Sequence, residues 1–291
     1  MDIIKNISII FISIFFESLP FLLLGSLISA LIETFVPNET FEKIIPKNKI
    51  LGSIVGVFLG FFLPACDCAV IPISKRLLRK DVPVNVVVSF MLSSPIINPV
   101  VLLSTYYAFY KTNPSIFWYR LLFGIVISLI VGIIIGFIYD EWDVTDDKVD
   151  TCDCHHHKEN KFISVVKHTS YDLFDVVKYL MFGAFVASLI QVLLPRDVLL
   201  IFNNNKILSI ITLMLFAYLI SLCSTSDSFV GKSLLSLFGE GPIMAYLLLG
   251  PMIDIKNTFV LLGNFNRKFV ITLISLIFIT IFIFSVLVVS L

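Results

Sequence analysis

Two thiols that flank a carboxylate inside an apolar stretch offer the clearest chemistry in this sequence. Cys66 and Cys68 lie on either side of Asp67, and a basic cluster follows at 75–80. Thiolates bind soft metal and metalloid ions strongly, whereas thiols two residues apart are poorly placed to form a disulfide with each other. Together with Cys223, these residues predict contacts to a thiophilic substrate. The alternative is that each cysteine is an ordinary buried apolar residue.

Proline and polar residues interrupt two apolar stretches in a similar way. Pro95 and Pro99 enclose Asn98, and Pro251 precedes Asp254. Prolines release backbone carbonyls, which a membrane protein tolerates only where protein or a water-filled cavity satisfies them. Broken helices also direct their dipole ends toward a bound solute or ion. We therefore expect Asn98 and Asp254 to contact substrate, the alternative being a packed kink that the polar side chain stabilises.

Two carboxylates within or beside apolar stretches, Glu17 and Asp175, are candidates for proton coupling. A charged side chain at mid-membrane costs about 2.5–3.5 kcal/mol on insertion scales, and a cation, a substrate or a proton must offset that cost. We expect Glu17 to face the interior of the helix bundle. Asp175 is close in sequence to Lys178 and could instead lie at the membrane surface. The alternative for Glu17 is a polar contact between helices.

The one long polar segment of the sequence, 140–161, divides the chain near its middle. It is acidic at first and then combines thiols with imidazoles, which are metal-ligating groups. The spacing does not match a zinc finger, which needs two separated ligand pairs. We expect either a flexible loop that collects a soft metal ion or a dispensable polar linker, and no other cofactor. The candidate metal ligands are Cys152, Cys154, His155, His156 and His157.

Composition places the chain in the membrane. Of its 291 residues, 58% are hydrophobic and only 14% are charged, and the mean hydropathy is +0.99. A soluble domain would carry roughly a quarter charged residues. The net charge is zero, so the sequence lacks the excess of basic residues that is typical of nucleic-acid binding. The Gly231-Lys232-Ser233 sequence lacks the earlier glycine of a phosphate-binding loop, so we expect no ATP site, and no catalytic constellation of an enzyme is discernible.

Apolar runs of about 20 residues predict an all-α polytopic protein with about eight transmembrane helices. Interruptions at the prolines predict that some of these helices are broken. The predicted spans are Ile7–Ile32, Ile50–Ile71, Val84–Phe109, Ile116–Tyr139, Leu173–Leu194, Ile207–Leu222, Ile243–Leu262 and Val270–Leu291.

The two halves of the sequence resemble each other, which predicts an internal repeat. We divide the chain into a first membrane repeat at 1–139, the polar loop at 140–161 and a second membrane repeat at 162–291. Four spans in each half preserve orientation, so the repeats are expected to be parallel, with the site at their interface. The alignment makes Asp227 a further candidate substrate contact. Its aligned pairs are Glu17 with Asp175, Pro95 with Pro251, and either Cys66 with Cys223 or Asp67 with Asp227.

These motifs resemble a known family. PACDCAVIPISKRLLRK at 64–80 and SSPIINPVVLLS at 93–104 are similar to motifs of the bacterial YraQ/ArsP-like predicted permeases. SLCSTSDSF and GPMID, at 221–229 and 250–254, resemble the second half of that family. The resemblance covers nearly the whole chain and implies a multi-pass permease of the bacterial plasma membrane. Some members export trivalent organoarsenicals, whereas a branch with the Cys-Asp-Cys motif looks like one subunit of a two-component permease.

We therefore expect a permease that moves a small solute or a thiophilic ion or metalloid without an ATP site of its own. The expected partners are the lipid membrane and either a second membrane subunit or further copies of the chain, with no nucleic acid. Two alternatives remain open. One is a membrane thiol-redox protein that uses Cys66 and Cys68, and the other is a scaffold subunit that positions a partner membrane protein.

Overall fold

The structure, a computed structural model, describes residues 2–35, 45–46, 48–63, 65–139, 144, 161–193 and 205–290. These residues are mostly helical, and no strand occurs among them. Most of the predicted central loop, including its cysteines and histidines, lies outside the described residues. The helices of the described part are α1 (Asp2–Phe35), α2 (Lys49–Phe62), α3 (Asp67–Arg79), α4 (Val84–Ile97), α5 (Pro99–Phe109), α6 (Ser115–Ile138), α7 (Lys161–Leu193), α8 (Lys206–Ile220), α9 (Ser226–Phe238), α10 (Glu240–Met252), α11 (Ile255–Asn264) and α12 (Arg267–Ser290).

Six helical segments of the described chain are long and apolar enough to cross a membrane. Two of the six are broken helices, because α4 continues into α5 and α10 continues into α11. The polytopic membrane class predicted from composition is confirmed. The six segments are Ile3–Ile32, Val84–Phe109, Ser115–Ile138, Val165–Leu193, Glu240–Asn264 and Arg267–Val289.

Two of the eight predicted spans are not full-length helices. The range Ile50–Ile71 divides into α2 and the start of α3, and Leu63 between them has extended backbone. Proline disfavours helical backbone at the residue before it, and Pro64 follows Leu63 in the sequence. The range Ile207–Leu222 becomes α8, which has 15 residues and ends where Ser221 adopts left-handed backbone. At 1.5 Å per residue α8 is about 22 Å long, short of the roughly 30 Å hydrocarbon layer.

The two broken helices are built alike. Asn98 has non-helical backbone between α4 and α5, and its side chain accepts a 3.0 Å hydrogen bond from the backbone N–H of Val100. Asp254 precedes α11, and its Oδ1 accepts a 2.6 Å hydrogen bond from the backbone N–H of Asn257. Each break thus carries a side chain that caps the following helix and satisfies one of its free donors.

Helix α4 lies at the centre of the first half, with every one of its residues buried. Helices α2 and α6 pack on α4 through glycines. A Cβ added at Gly60 of α2 would lie 2.9 Å from the Ser94 nitrogen, and one at Gly132 of α6 would lie 3.0 Å from the Asn85 oxygen. Small residues permit this close backbone approach, which is a common way for membrane helices to associate.

The helix order and lengths of the two halves correspond. Helices α1 to α6 have 34, 14, 13, 14, 11 and 24 residues, and α7 to α12 have 33, 15, 13, 13, 10 and 24. The halves meet where α1 packs on α7, α4 on α10, and α6 on α12. Between them, α3 also contacts α11 and α5 contacts α9. The two helix breaks therefore approach each other across the boundary between the halves.

Candidate functional site

A small cavity lies between the two broken helices. Its lining includes Asp67 at the start of α3, Pro95 of α4, and Pro251 with Asn257 from the second half. Its volume of about 10 Å³ is close to the minimum for one water molecule. The structure thus brings the Cys-Asp-Cys segment and both helix breaks to one place, in a conformation closed to anything larger than water.

Asp67 is held in this cavity by two residues of α11. Its Oδ2 lies 3.2 Å from the Lys256 Nζ and accepts a 3.0 Å hydrogen bond from the Asn257 Nδ2. The side chains of Asp67 and Lys256 are only 5% and 4% exposed. Asp67 lies in the first turn of α3, where the helix dipole favours a negative charge. Lys256 lies in the first turn of α11, where the dipole disfavours a positive charge, so its position depends on the carboxylates.

A second carboxylate shares the same ammonium group. Asp254 is fully buried, and its Oδ2 lies 3.5 Å from the Lys256 Nζ. When all three groups are ionised, the cluster of Asp67, Asp254 and Lys256 carries one net negative charge. Asp254 Oδ2 and Asn257 Oδ1 also accept no hydrogen bond. The cluster therefore presents oxygen atoms and uncompensated negative charge to a bound cation or proton.

The three cysteines predicted to contact substrate are free thiols in the same region. Cys66 is partly buried and Cys68 is buried, and the Cys68 Sγ donates a weak hydrogen bond of 3.8 Å to the Asp67 Oδ2. Cys223 lies between α8 and α9, near enough for the Asp67 charge to act on it. In the described chain no three His, Cys, Asp or Glu side chains converge closely enough to hold a metal ion. The three cysteines therefore do not form a three-sulfur site in this conformation.

The Asn98 side chain is buried and occupied as the cap of α5, and Asn98 is not among the residues that line the cavity. Its predicted contact with substrate remains a prediction.

Glu17 is exposed on α1, so the expectation that it faces the bundle interior is wrong. Helix α1 is apolar all round, and it buries a different face, which includes Ser18 and Leu22. Glu17 lies close enough to Cys223 for its charge to act on that thiol.

Asp175 lies in a charged contact between α3 and α7 rather than in the central cavity. Its carboxylate is 2.8 Å from the Lys178 Nζ and 3.4 Å from the Lys75 Nζ. Beside it, Arg76 donates two hydrogen bonds to Asp172, at 2.7 and 3.1 Å. The basic cluster of α3 thus ties α3 to α7 through two carboxylates.

A second buried polar cluster contains Asp227 and lies between α6, α9 and α10. Arg120 of α6 is fully buried and donates 2.8 Å hydrogen bonds to the hydroxyls of Thr105 and Ser228. Asp227 at the start of α9 accepts a 3.1 Å hydrogen bond from the Tyr246 hydroxyl. Asp227 was predicted from the sequence as a site residue, whereas Arg120 and Tyr246 were not.

Lys256 and Arg120 are the principal polar residues that sequence reasoning missed. Each is an ionisable residue inside an apolar span, and such residues are functional candidates by default. Applying that rule to cations as well as to carboxylates would have found both. The candidate metal ligands of the central loop, 152–157, lie outside the described residues.

Comparison with known proteins places the chain in a family. The family described as "Predicted permease" (ArsP_1) matches residues 3–290. A protein of Streptococcus mutans named "Putative two-component membrane permease complex subunit" is 39% identical over 270 residues, which cover 91% of this chain and 89% of the relative. The Bacillus subtilis protein named UPF0718 protein YcgR is 38% identical over 268 residues, or 91% of each chain. No solved structure matches the chain. The six apolar helices of the described chain and the two bacterial relatives indicate a multi-pass protein of the bacterial plasma membrane. Because the family match covers nearly the whole sequence, the chain belongs to this permease family.

Proposed function

We propose that this permease moves a small solute or thiophilic ion across the plasma membrane, along a path through the cavity between the two helix breaks. The activity that we propose is transport rather than an enzymatic reaction, without an ATP site of the permease's own. The observation that carries the proposal is the buried cluster of Asp67, Asp254 and Lys256. It is built from both halves of the chain at the point where two membrane helices are interrupted.

The charge of this cluster favours a positively charged substrate. Removing an ion from water costs several kcal/mol. The single ammonium of Lys256 compensates only one of the two carboxylates of Asp67 and Asp254. A cation or a proton would balance the other. The thiols of Cys66 and Cys68 adjoin Asp67 and would add affinity for a soft ion or metalloid.

We also propose that the chain is a two-repeat transporter with its substrate path at the repeat interface. The corresponding helix lengths of the two halves support this, as do the two breaks that flank one cavity. In such transporters the halves rock about a central site to open it to one side at a time. The volume of about 10 Å³ fits a closed step of that cycle. Asp175 remains a proposed proton carrier, outside the central cavity at the contact between α3 and α7.

The decisive experiment is a resistance and uptake screen in a deletion strain complemented with variants. The screen covers trivalent arsenic and antimony, zinc, cadmium, copper, silver and small organic acids. For a thiophilic substrate, the double variant Cys66→Ser/Cys68→Ser should abolish transport with normal expression. The matched control is the same double change at Cys152 and Cys154 in the central loop, which should retain transport when metal is abundant.

Asp67→Asn separates the remaining outcomes of this screen. If the substrate is not thiophilic, the serine double variant should be mild and Asp67→Asn should abolish transport. Full transport in both variants would place the path elsewhere in the molecule and refute the proposed site.

We further propose that the permease acts with a second membrane subunit, because the Streptococcus mutans relative is named as a subunit of a two-component complex. Affinity purification of the tagged chain from its native membrane should recover a stoichiometric membrane partner. Recovery of the chain alone, active after reconstitution, would contradict this and favour a permease that works unaided or as several copies.

The thiol-redox alternative is supported by the two free thiols, Cys66 and Cys68, that flank Asp67. Mass spectrometry of the thiol state under oxidising and reducing conditions tests it. A permease should keep both thiols reduced and protected by substrate. Reversible oxidation of the pair with retained transport in the double serine variant would support redox chemistry instead.

A further inference from the structure

We infer that the Asp227 carboxyl, beside the buried Arg120, binds and releases a proton during the transport cycle. This inference rests on the proposed permease function and adds a proton-binding site to it.

The Asp227 carboxyl is buried with one of its oxygens unsatisfied. The residue is 2% exposed, its Oδ1 accepts the Tyr246 hydroxyl at 3.1 Å, and its Oδ2 accepts no hydrogen bond. A Cβ at Gly250 would lie 2.7 Å from that Oδ2, so the glycine provides the space that the carboxyl occupies. In the described part of the chain Asp227 has no ion-pair partner. A buried charge without a partner is favoured in its neutral form, so the arrangement suits a protonated carboxyl.

Comparison with Asp67 shows that this environment is specific. Both aspartates lie in the first turn of a 13-residue helix, α3 for Asp67 and α9 for Asp227. Asp67 is paired with Lys256 at 3.2 Å and accepts a further hydrogen bond from Asn257, whereas Asp227 has only the neutral tyrosine hydroxyl. The Asp67 carboxylate thus has a cation beside it, whereas the Asp227 carboxyl has none within ion-pair distance among the described residues.

Arg120 provides the cation that the ionised form would need. Its guanidinium is fully buried, but its partners are the hydroxyls of Thr105 and Ser228 and, at 3.4 Å, the carbonyl of Ser224. The Arg120 Nε donates no hydrogen bond, and the Arg120 charge is near enough to act on Asp227. Loss of the proton would let Asp227 pair with Arg120 and would shift α9 relative to α6. The cluster thus has two arrangements, one for each protonation state.

The charges that face Asp227 connect it to the central cavity. They are Arg120 from α6, Asp67 from α3 and Asp254 from the break before α11, together with the titratable Tyr246 from α10. The two aspartates repel a further negative charge. A cation bound at Asp67 and Asp254 would weaken that repulsion, so Asp227 would release its proton to water as the cation binds. The predicted coupling is an exchange of cation for proton.

Infrared spectroscopy of the purified full-length protein in lipid nanodiscs tests this without a known substrate. The probe is pH alone, and the readout is the C=O stretch of a protonated carboxyl. Wild-type protein should show such a band at neutral pH that Asp227→Asn removes and Asp67→Asn retains. Asp254→Asn should also retain the band, because Asp254 is the other buried carboxyl with an unsatisfied oxygen; loss of the band in that variant would assign the proton to Asp254 and overturn the inference. Absence of the band in wild type, or its persistence in Asp227→Asn, would overturn the inference.

Tyr246→Phe provides a second test if Asp227→Asn does not fold. It removes the hydrogen bond to Asp227 but keeps the carboxyl, so the band should move to higher frequency without losing intensity. An unmoved band would show that another group gives the signal. These spectra do not depend on transport, so the two proposals can fail separately. A substrate screen without a positive result would not remove the infrared band, and a missing band would not argue against the proposed substrate path.

Discussion

Replacing Lys256 with methionine tests the charge balance of the site most directly. Methionine has a similar length and no charge, so the variant leaves Asp67 and Asp254 buried without their shared cation. The two carboxylates lie 3.2 and 3.5 Å from the Lys256 Nζ, and all three side chains are at most 5% exposed. Removing one partner of a buried ion pair destabilises a protein by about 3–5 kcal/mol.

Protonation of the stranded carboxylates limits this loss and makes it depend on pH. Neutralising one aspartate of ordinary pKa near 3.9 costs about 4 kcal/mol at pH 7 and about 1.5 kcal/mol at pH 5. The difference in unfolding free energy between wild type and Lys256→Met should therefore be greatest at neutral pH and shrink as the pH falls. At about 2–4 °C per kcal/mol, the melting temperature at pH 7 should drop by roughly 10 °C.

Thermal unfolding in nanodiscs between pH 5 and 8, at fixed lipid and salt, measures this effect. Adding Asp67→Asn to Lys256→Met should recover part of the lost stability, because the two changes share one interaction. The single variant Asp67→Asn serves as the reference. A Lys256→Met protein as stable as wild type at pH 7, with no dependence on pH, would refute the buried ion cluster and with it the proposed path.

Four further variants test the surrounding framework. Gly183→Ala would place a Cβ 2.9 Å from the backbone oxygen of Lys256, so it should destabilise the protein by about 1–3 kcal/mol and impair transport. Gly231→Ala, whose Cβ would meet only the side chains of Leu247 at 3.0 Å and Ile243 at 3.7 Å, should be milder in the same unfolding assay. Arg76→Gln removes the paired hydrogen bonds between α3 and α7 and should lower the melting temperature, since the Arg76 side chain is only 8% exposed; an unchanged value would show that this contact is not stabilising. Deletion of 150–160 should leave helix content and melting temperature unchanged by circular dichroism, and loss of folded protein would show that the segment is structural.

Composition and proline placement were sufficient to predict the membrane class and both helix breaks. Pro95, Asn98 and Pro251 interrupt apolar runs, and the backbone is interrupted close to each. The length of the second span was not predictable in the same way. The range Ile50–Ile71 is apolar throughout, so its hydropathy alone predicts one span. Hydropathy does not reveal that the residue before Pro64 has non-helical backbone, which divides the range into two short helices.

The site was only partly predictable, because its contacts join distant parts of the chain. Asp67 and Asp254 were recognisable as costly residues in apolar sequence, but Asn257 lies 190 residues from the Asp67 that it contacts. A single sequence carries no record of that pairing. The burial of Glu17 was mispredicted because α1 is apolar on all sides, and periodicity then does not indicate which face the protein covers.

The glycine contacts around α4 determine which parts of the permease can move. Gly60 of α2 and Gly132 of α6 bring their backbones against α4, and interlocked backbones cannot slide without opening voids. Helix α8, which occupies the place of α2 in the second half, contains no glycine and packs on α10 through larger side chains that can exchange rotamers. We therefore expect α2, α4 and α6 to move as one unit in any rearrangement that opens the substrate path. In the second half the comparable close approach is between α7 and α11, because a Cβ at Gly183 would lie 2.9 Å from the Lys256 backbone oxygen.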